Sequence, residues 1–360
     1  MTTYSDNIKL SQYNFSLPSG LIAKYPTENR DESRLMVINT STGDIKHLQF
    51  KDIVNCFTDG DTFVFNNTKV YPAKLQGYKE STSAPVEVIL IRELDPEKRV
   101  WDVIIEPARK IRIGNKIVFG DCNPIVADVL DNTYSKGRII RFLPNGCKGS
   151  YKQQLFGLGK MSIPAMLNRV PEQIDIERFQ TIFAQEEGAV IAPGAGLHFS
   201  RELLKKMDVI GIEKGFITLH IGLGNIQAPK VFDLAKHRAD SEPLKISEKT
   251  TIVVNKSKHN NKHICAIGIS SLKAIESSVN TQGLLMPFEG WTNKFIYPPF
   301  NFKCATALVT NFHLPFSPLL MAASAFSGYN LIMDAYQMAI KNGYRFGVYG
   351  DAMLILKSSR

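Results

Sequence analysis

The sequence predicts a mixed α/β fold in which an α/β core is interrupted by a small antiparallel β-barrel or sandwich. Three observations carry this. The opening, to about Leu75, holds short apolar runs divided by turn residues; from Gln76 to Gly149 apolar residues recur with period 2; after Tyr151 helical and strand patterns alternate. These changes of texture divide the 360 residues into a discontinuous α/β domain, 1–75 with 151–360, around an inserted β domain, 76–150. A chain of this length can bury a large core and exceeds one typical compact domain.

In chain order, SRLMVINTSTGDIKHLQF reads as strand, Thr–Gly–Asp turn, strand. DGDTFVFNNTKVYPAKL adds a strand ended at Asn66 and Asn67, with Pro72 interrupting the run beyond them. PVEVILIREL, RVWDVIIEP, GNKIVFG, PIVADVLD and KGRIIRFLP are short strands, and KLQGYKE is one more. Turn clusters at Asp95–Pro96, Gly120–Asp121 and Asn145–Gly146 separate them, as in a small antiparallel barrel or sandwich. In SRELLKKMDVIG, Ser200 is the N-cap and Gly211 the stop of a helix. KGFITLHIG is a buried strand, and SSLKAIESSV a helix begun by Ser270 or Ser271. PLLMAASAFSGYNLIMDAYQMAIKNGY holds one or two buried helices, and the Lys-rich KISEKTTIVVNKSKHNNKH reads as a strand followed by a solvated turn.

Hydrophobic content of 44% and charged content of 21% are those of an ordinary globular protein. MTTYSDNIKL lacks a basic segment followed by an apolar one, and no run reaches the roughly 18 apolar residues of a membrane helix. A cytoplasmic protein without a membrane anchor is expected. Five cysteines, odd in number and without a CxxC pair, fit reduced thiols rather than a disulfide framework or zinc ribbon. A net charge of +9 suits a phosphate-rich partner and, equally, plain solubility. No RRM, KH, zinc-finger, HExxH, GxSxG or GxxxxGK[ST] string accompanies it. His259 and His263 have H-x3-H spacing without an acidic partner, which reads as a solvated loop rather than a metal site. Glu186 and Glu187 are simply adjacent.

Polar residues on short turns beside apolar elements are how a site is usually built. TNFHLPFSPLLMAASAFSG and YRFGVYGDAML place Asn311, His313, Arg345, Tyr349 and Asp351 in that setting. RFQTIFAQEEGAVIAPGAGLHFS carries Arg178, Gln180, Gly194, Gly196 and His198, its glycines permitting close backbone approach to a ligand. Taken alone, that loop is more simply a tight turn with His198 in the core. FITLHIGLGNIQ delivers His220, Gly222 and Gly224 into a turn whose N–H groups suit a carboxylate or ribose oxygen. Gln227 stands where a dinucleotide fingerprint needs glycine, so that motif fails.

Together with LIAKYPTENRDESRL, GDTFVFNNTKVYPAKLQG and NKFIYPPFNF, these strings resemble the S-adenosylmethionine:tRNA ribosyltransferase-isomerase family, collinearly from Leu21 to Leu354. The resemblance implies an α/β-barrel-like core with an inserted antiparallel barrel. It implies transfer and isomerisation of the ribosyl part of S-adenosylmethionine onto 7-aminomethyl-7-deazaguanine at the tRNA wobble position. Epoxyqueuosine-tRNA forms, and adenine and methionine leave. S-adenosylmethionine is then a co-substrate, tRNA carrying the deazaguanine amine the partner, no metal is needed, and a monomer is expected.

The sulfonium acidifies the C5′ hydrogens, adenine needs protonation or strong hydrogen bonding to leave, and the amine must be held near C1′. On this reading His198, His220 and His313 are catalytic, since histidine suits proton transfer near neutral pH. Arg178, Gln180, Gly194, Gly196, Gly222, Gly224, Asn311, Arg345, Tyr349 and Asp351 bind substrate. For each histidine a structural hydrogen bond in the core is the competing role. The chain departs from the family pattern at Gly194 (threonine), Ile269 and Ser270 (both threonine), Lys273 (arginine), Asp240 (histidine) and Phe316 (lysine). Those changes keep open a second reading, a family member that binds RNA or acts on a different amine acceptor without this activity.

Overall fold

A computed structural model describes residues 9–121, 123–133, 137–144 and 150–357. Cys122, Cys147, the Asn145–Gly146 turn and the first eight residues, which enter the expectations above, lie outside them.

The chain opens with β1 (Arg34–Asn39), β2 (Ile45–Gln49), β3 (Thr62–Asn66) and β4 (Thr68–Val70). The period-2 block then forms β5 (Lys74–Lys79), β6 (Pro85–Asp95), β7 (Val100–Glu106), β8 (Lys116–Phe119), β9 (Ile125–Asn132) and β10 (Arg138–Phe142). These pair antiparallel in the order β10-β7-β6-β5-β8-β9 and close into a barrel, which removes free strand edges. Alternation fills the interior: Val86, Val88 and Leu90 from β6, Trp101, Val103 and Ile105 from β7. The same apolar cluster continues out of the barrel to Phe179, Leu197 and Tyr349, so barrel and core meet across a close-packed seam.

After the barrel come α1 (Tyr151–Leu158), α2 (Gln173–Arg178), β11 (Glu186–Ala189), α3 (Arg201–Ile210) and β12 (Glu213–Leu219). Next are β13 (Glu242–Ile246), α4 (Glu248–His259), β14 (Ile264–Ile267) and α5 (Gly268–Ser277). The chain ends with β15 (Phe288–Thr292), β16 (Ala307–Asn311), α6 (Pro318–Ser327), α7 (Tyr329–Lys341) and β17 (Ala352–Leu356). Nine strands form one mixed sheet, β15-β13-β12-β3-β14-β16-β17-β1-β2. Its central strands β3, β14 and β16 are buried throughout and mainly apolar, as parallel strands covered on both faces must be. Successive residues of β1 feed opposite faces: Met36 and Ile38 join one apolar cluster, Leu35 and Val37 the other.

The mixed α/β class with an inserted closed barrel is what the structure has. The larger sheet is open rather than barrel-like: its edge strands β15 and β2 are largely solvent-facing and, among the described residues, take no further partner. Ser200 caps α3 by accepting from Leu203 N–H at 3.0 Å, and Gly211 ends it at φ +87°. The Lys-rich segment differs from its reading. Only its start is strand; Ser247 then caps α4, whose Thr250, Thr251, Val254 and Ser257 face inward while Lys256, Lys258 and His259 occupy the last turn. Helical spacing of small and β-branched residues, with cations at the negative helix end, outweighs the strand propensity of Thr–Thr–Ile–Val–Val. The helix α5 starts at Gly268, before either serine, because Gly268 at φ +87° turns β14 directly into it. Two helices, α6 and α7, meet at Gly328, φ +92°.

Glu276, buried in α5, accepts the N–H groups of Lys303 at 2.9 Å, Cys304 at 3.0 Å and Ala305 at 3.0 Å, anchoring the segment that enters β16. Replacing it by alanine strands two buried donors and a part-buried one, so Glu276→Ala is expected to lower stability by about 3 kcal/mol in urea denaturation. A loss below about 1 kcal/mol would show that the anchor is dispensable.

Candidate active site

At the carboxyl ends of the parallel strands β14 and β16, the 193–195 turn, the 225–228 turn and the start of α6 enclose a cavity of about 450 Å³. Crevices at such strand ends are where open α/β sheets bind ligands. Ile191, Leu219, Ile221, Ile296 and Leu319 make its wall mainly apolar. Into it open Asn311, His313, Thr310, Ser270, Lys294 and the Glu242–Lys273 pair.

Of the three histidines, His313 alone lines this cavity. Its Nε2 lies 2.7 Å from Thr310 Oγ1, and its backbone N–H donates to Tyr336 Oη at 2.9 Å. Burial pushes its pKa down to about 3. His198 stacks on Phe50 with ring centroids 4.8 Å apart and sets Nδ1 2.8 Å from Ser33 Oγ. Burial lowers its pKa to about 4, opposed by the Asn311 side chain nearby. By geometry, however, His198 Nε2 and Asn311 Oδ1 are both buried without a hydrogen-bond partner. Asn311 Nδ2 donates to Gly347 O at 3.0 Å and Val348 O at 3.2 Å, which leaves Oδ1 as an open acceptor in the cavity wall. His220 lies outside the lining although both its neighbours belong to it; its Nδ1 is 2.7 Å from Thr68 Oγ1 and its ring rests on Gly188, where a Cβ would come within 2.5 Å. Its pKa falls to about 4, through burial and then the Lys152 charge. All three rings are therefore neutral at pH 7 rather than poised to titrate there.

Among the glycines, Gly194 faces the cavity. A Cβ there would meet Asn311 Oδ1 at 3.5 Å, ordinary contact, so the missing side chain widens the space beside Asn311. Gly196 is held against Thr181 and Phe183, where a Cβ would sit 2.9 and 3.1 Å from their side chains. Gly222 N–H is already engaged by Glu242 Oε1 at 3.0 Å, and a Cβ on Gly224 would collide with the Asp240 carboxylate. Gly196 N–H donates to Pro193 O at 2.8 Å, within its own turn.

The remaining expected residues sit outside the cavity lining. Asp351 accepts the backbone N–H of Arg34 at 2.9 Å and of Arg345 at 2.8 Å. Arg345 donates to the carbonyls of Tyr349 at 2.9 Å and Tyr25 at 3.3 Å. Tyr349 Oη donates to Asp175 at 2.8 Å, Arg178 to Glu28 O at 2.9 Å, and Gln180 clasps both the N–H and C=O of Val70 at 2.9 and 3.1 Å.

Sequence reading missed the ion pair in the cavity wall. Lys273 Nζ lies 2.6 Å from Glu242 Oε2, both residues buried, so lysine in place of the family's arginine still meets a carboxylate there. Both belong to motif strings, but 31 residues separate them and nothing local pairs them. Ser270 Oγ, buried without a partner, and the half-buried Lys294 were missed too. Burial lowers the Lys294 pKa. Among the described residues no group of three or more His, Cys, Asp or Glu side chains is placed to hold a metal, and no helix is long and apolar enough to cross a membrane.

A family model described as "Queuosine biosynthesis protein" matches residues 10–355. A Bacteroides fragilis protein named S-adenosylmethionine:tRNA ribosyltransferase-isomerase is 56% identical over 97% of this chain and 99% of its own length. A Flavobacterium psychrophilum protein of the same name is 52% identical over 97% and 100%. Among solved structures, an S-adenosylmethionine tRNA ribosyltransferase from Thermotoga maritima superposes with TM-score 0.55 at 31% identity, covering 96% of this chain and 100% of that one.

The depressed histidines make stability depend on pH. Unfolded histidine binds its proton near pH 6.5, whereas these rings stay neutral until about pH 4 or 3. Their contribution is complete above pH 6.5 and lost as pH falls toward 4. Thermal midpoints are expected to drop across that window and His198→Gln to flatten the drop; an unchanged profile in His198→Gln would reject the assignment for that ring.

Proposed function

The chain belongs to the queuosine biosynthesis protein family, and from that premise we propose that it is an S-adenosylmethionine:tRNA ribosyltransferase-isomerase. It moves the ribosyl part of S-adenosylmethionine onto the aminomethyl group of 7-aminomethyl-7-deazaguanine at the tRNA wobble position. Epoxyqueuosine-tRNA forms, and adenine and methionine are released. The observation that supports this most is the cavity itself: an apolar pocket at strand ends, lined by Asn311 at the end of β16 and His313 two residues on. In our reading His313 Nε2–H donates to Thr310, leaving Nδ1 to accept a C5′ hydrogen. A base this weak requires an acidified C–H, which the adjacent sulfonium supplies. Asn311 Oδ1 accepts from a donor of the nucleoside, and the space left at Gly194 receives part of it.

His198 and His220 we read as positioning residues, one behind Asn311 and one beneath the 186–189 strand. Arg345, Tyr349 and Asp351 shape the turn that carries the Asn311 partners, and Gln180, Gly196, Gly222 and Gly224 shape the loops around it. We read 76–150 as an inserted domain on the discontinuous 1–75 and 151–360 domain, and the protein as a cytoplasmic monomer working without a metal.

Incubation with S-adenosylmethionine and tRNA bearing the deazaguanine amine is expected to release adenine and yield epoxyqueuosine by mass spectrometry. Neither product from folded protein, beside a working control enzyme, would sink the reading. His313→Ala is expected to lower turnover roughly 10²–10⁴-fold while nucleoside binding persists. Turnover within a few fold of the parent would remove His313 from the chemistry.

A further inference from the structure

Beside the cavity, and sharing Val348 with it, a notch of about 20 Å³ lies between Pro26, Thr27, Arg30, Arg178, His198 and Tyr349. Its volume suits a single oxygen atom. Arg30 Nη1 donates to Leu197 O at 3.2 Å and Nη2 to Glu177 O at 3.1 Å, and Arg178 Nη1 donates to Glu28 O at 2.9 Å. Those carbonyls orient the two guanidinium groups without neutralising them. Among the described residues no carboxylate comes within ion-pair distance of either. Burial lowers the pKa of both, for Arg30 the Arg178 charge lowers it further, and the Glu177 carboxylate, beyond ion-pair distance, opposes the shift in both, so two cations share the notch without a direct counter-ion.

Two atoms of the same notch are also incomplete. Arg178 Nε and His198 Nε2 are buried and have no partner. The His198 residue is 5% exposed. With the Ser33 hydroxyl donating to Nδ1, Nε2 carries its hydrogen and becomes a donor. Buried donors left unpaired are costly, and here they coincide with two guanidinium groups that no carboxylate pairs directly. The missing partner is thus an anionic oxygen. Room for one oxygen only selects a group whose other atoms stay outside, as in a chain running over the surface.

Resting on the tRNA reading above, we propose that this notch seats a non-bridging phosphodiester oxygen of the tRNA, held by Arg30, Arg178 and His198 Nε2–H. His198 stands next to Asn311 in the cavity wall, so a phosphate seated here sets how far the substrate nucleotide reaches into the cavity.

The test is tRNA affinity against salt concentration for the parent protein, Arg30→Gln, Arg178→Gln and Arg178→Lys. Binding of S-adenosylhomocysteine, followed alongside, reports the fold. Each glutamine variant is expected to bind tRNA about tenfold more weakly, with the slope of log affinity on log salt shallower by about 0.7–0.9. Arg178→Lys keeps the charge but not Nε, so it retains the slope and loses part of the affinity. Parental slope and affinity in both glutamine variants overturn the proposal. Should those variants lose nucleoside binding through misfolding, parental affinity in Arg178→Lys overturns it instead. Inorganic phosphate that shifts the His198 imidazole resonances, where tRNA does not, assigns the notch to a free anion and also overturns it. Failure of the parent protein to bind tRNA removes the tRNA reading and this proposal together; tRNA turnover unaffected by the variants removes this proposal alone.

Discussion

Much of the site hangs on one buried carboxylate. Asp351 is 2% exposed, and its two oxygens take the backbone N–H groups of Arg34 and Arg345 at 2.9 and 2.8 Å. Its own carbonyl accepts from Phe312. Three segments distant in sequence are tied at that point: the start of β1, the 345–350 turn leading into β17, and the end of β16. A charge withdrawn from water persists only with such partners, so the knot has one satisfactory geometry. That geometry aims the Gly347 and Val348 carbonyls at Asn311 Nδ2 and thereby leaves Asn311 Oδ1 open in the cavity wall.

Burial sets the electrostatics around the knot. The low-dielectric surroundings that hold His198, His220 and His313 neutral also strengthen each remaining charge and dipole. Glu242 and Lys273 meet this by pairing, with Gly222 N–H completing the carboxylate. Such a wall favours preorganised hydrogen bonding over free titration, which suits a reaction whose acidity is supplied by a sulfonium rather than by the protein.

Departures from the family pattern make sense in groups. Asn225 exchanges two hydrogen bonds with the backbone of Asp240, at 2.9 and 3.0 Å, and the Asp240 carboxylate covers Gly224. Asparagine and aspartate thus staple the 222–227 turn to the approach of β13. Lys273 keeps an ion pair, and Gly194 widens the cavity at Asn311. Nothing in the structure explains phenylalanine at 316, where φ is +61°.

Elements with strong local periodicity are legible in the sequence: the six barrel strands, the capped helix after Ser200 and the buried strand before His220. Each is decided by residues within a few positions of one another, through pleat, helical turn or cap. The helix at 248–259 was not, since its β-branched residues favour strand until a sheet is present for its inner face to cover. Motif strings likewise located the loops of the site, because collinear matches need no geometry. Which polar side chains of those loops face the cavity was settled only in three dimensions. Tyr349 bonds to a partner 174 residues away, Asp351 to one 317 away and His198 to one 165 away. A side chain's role depends on whether such a remote partner consumes its hydrogen bonds or leaves one open, and only the tertiary structure brings those partners into contact.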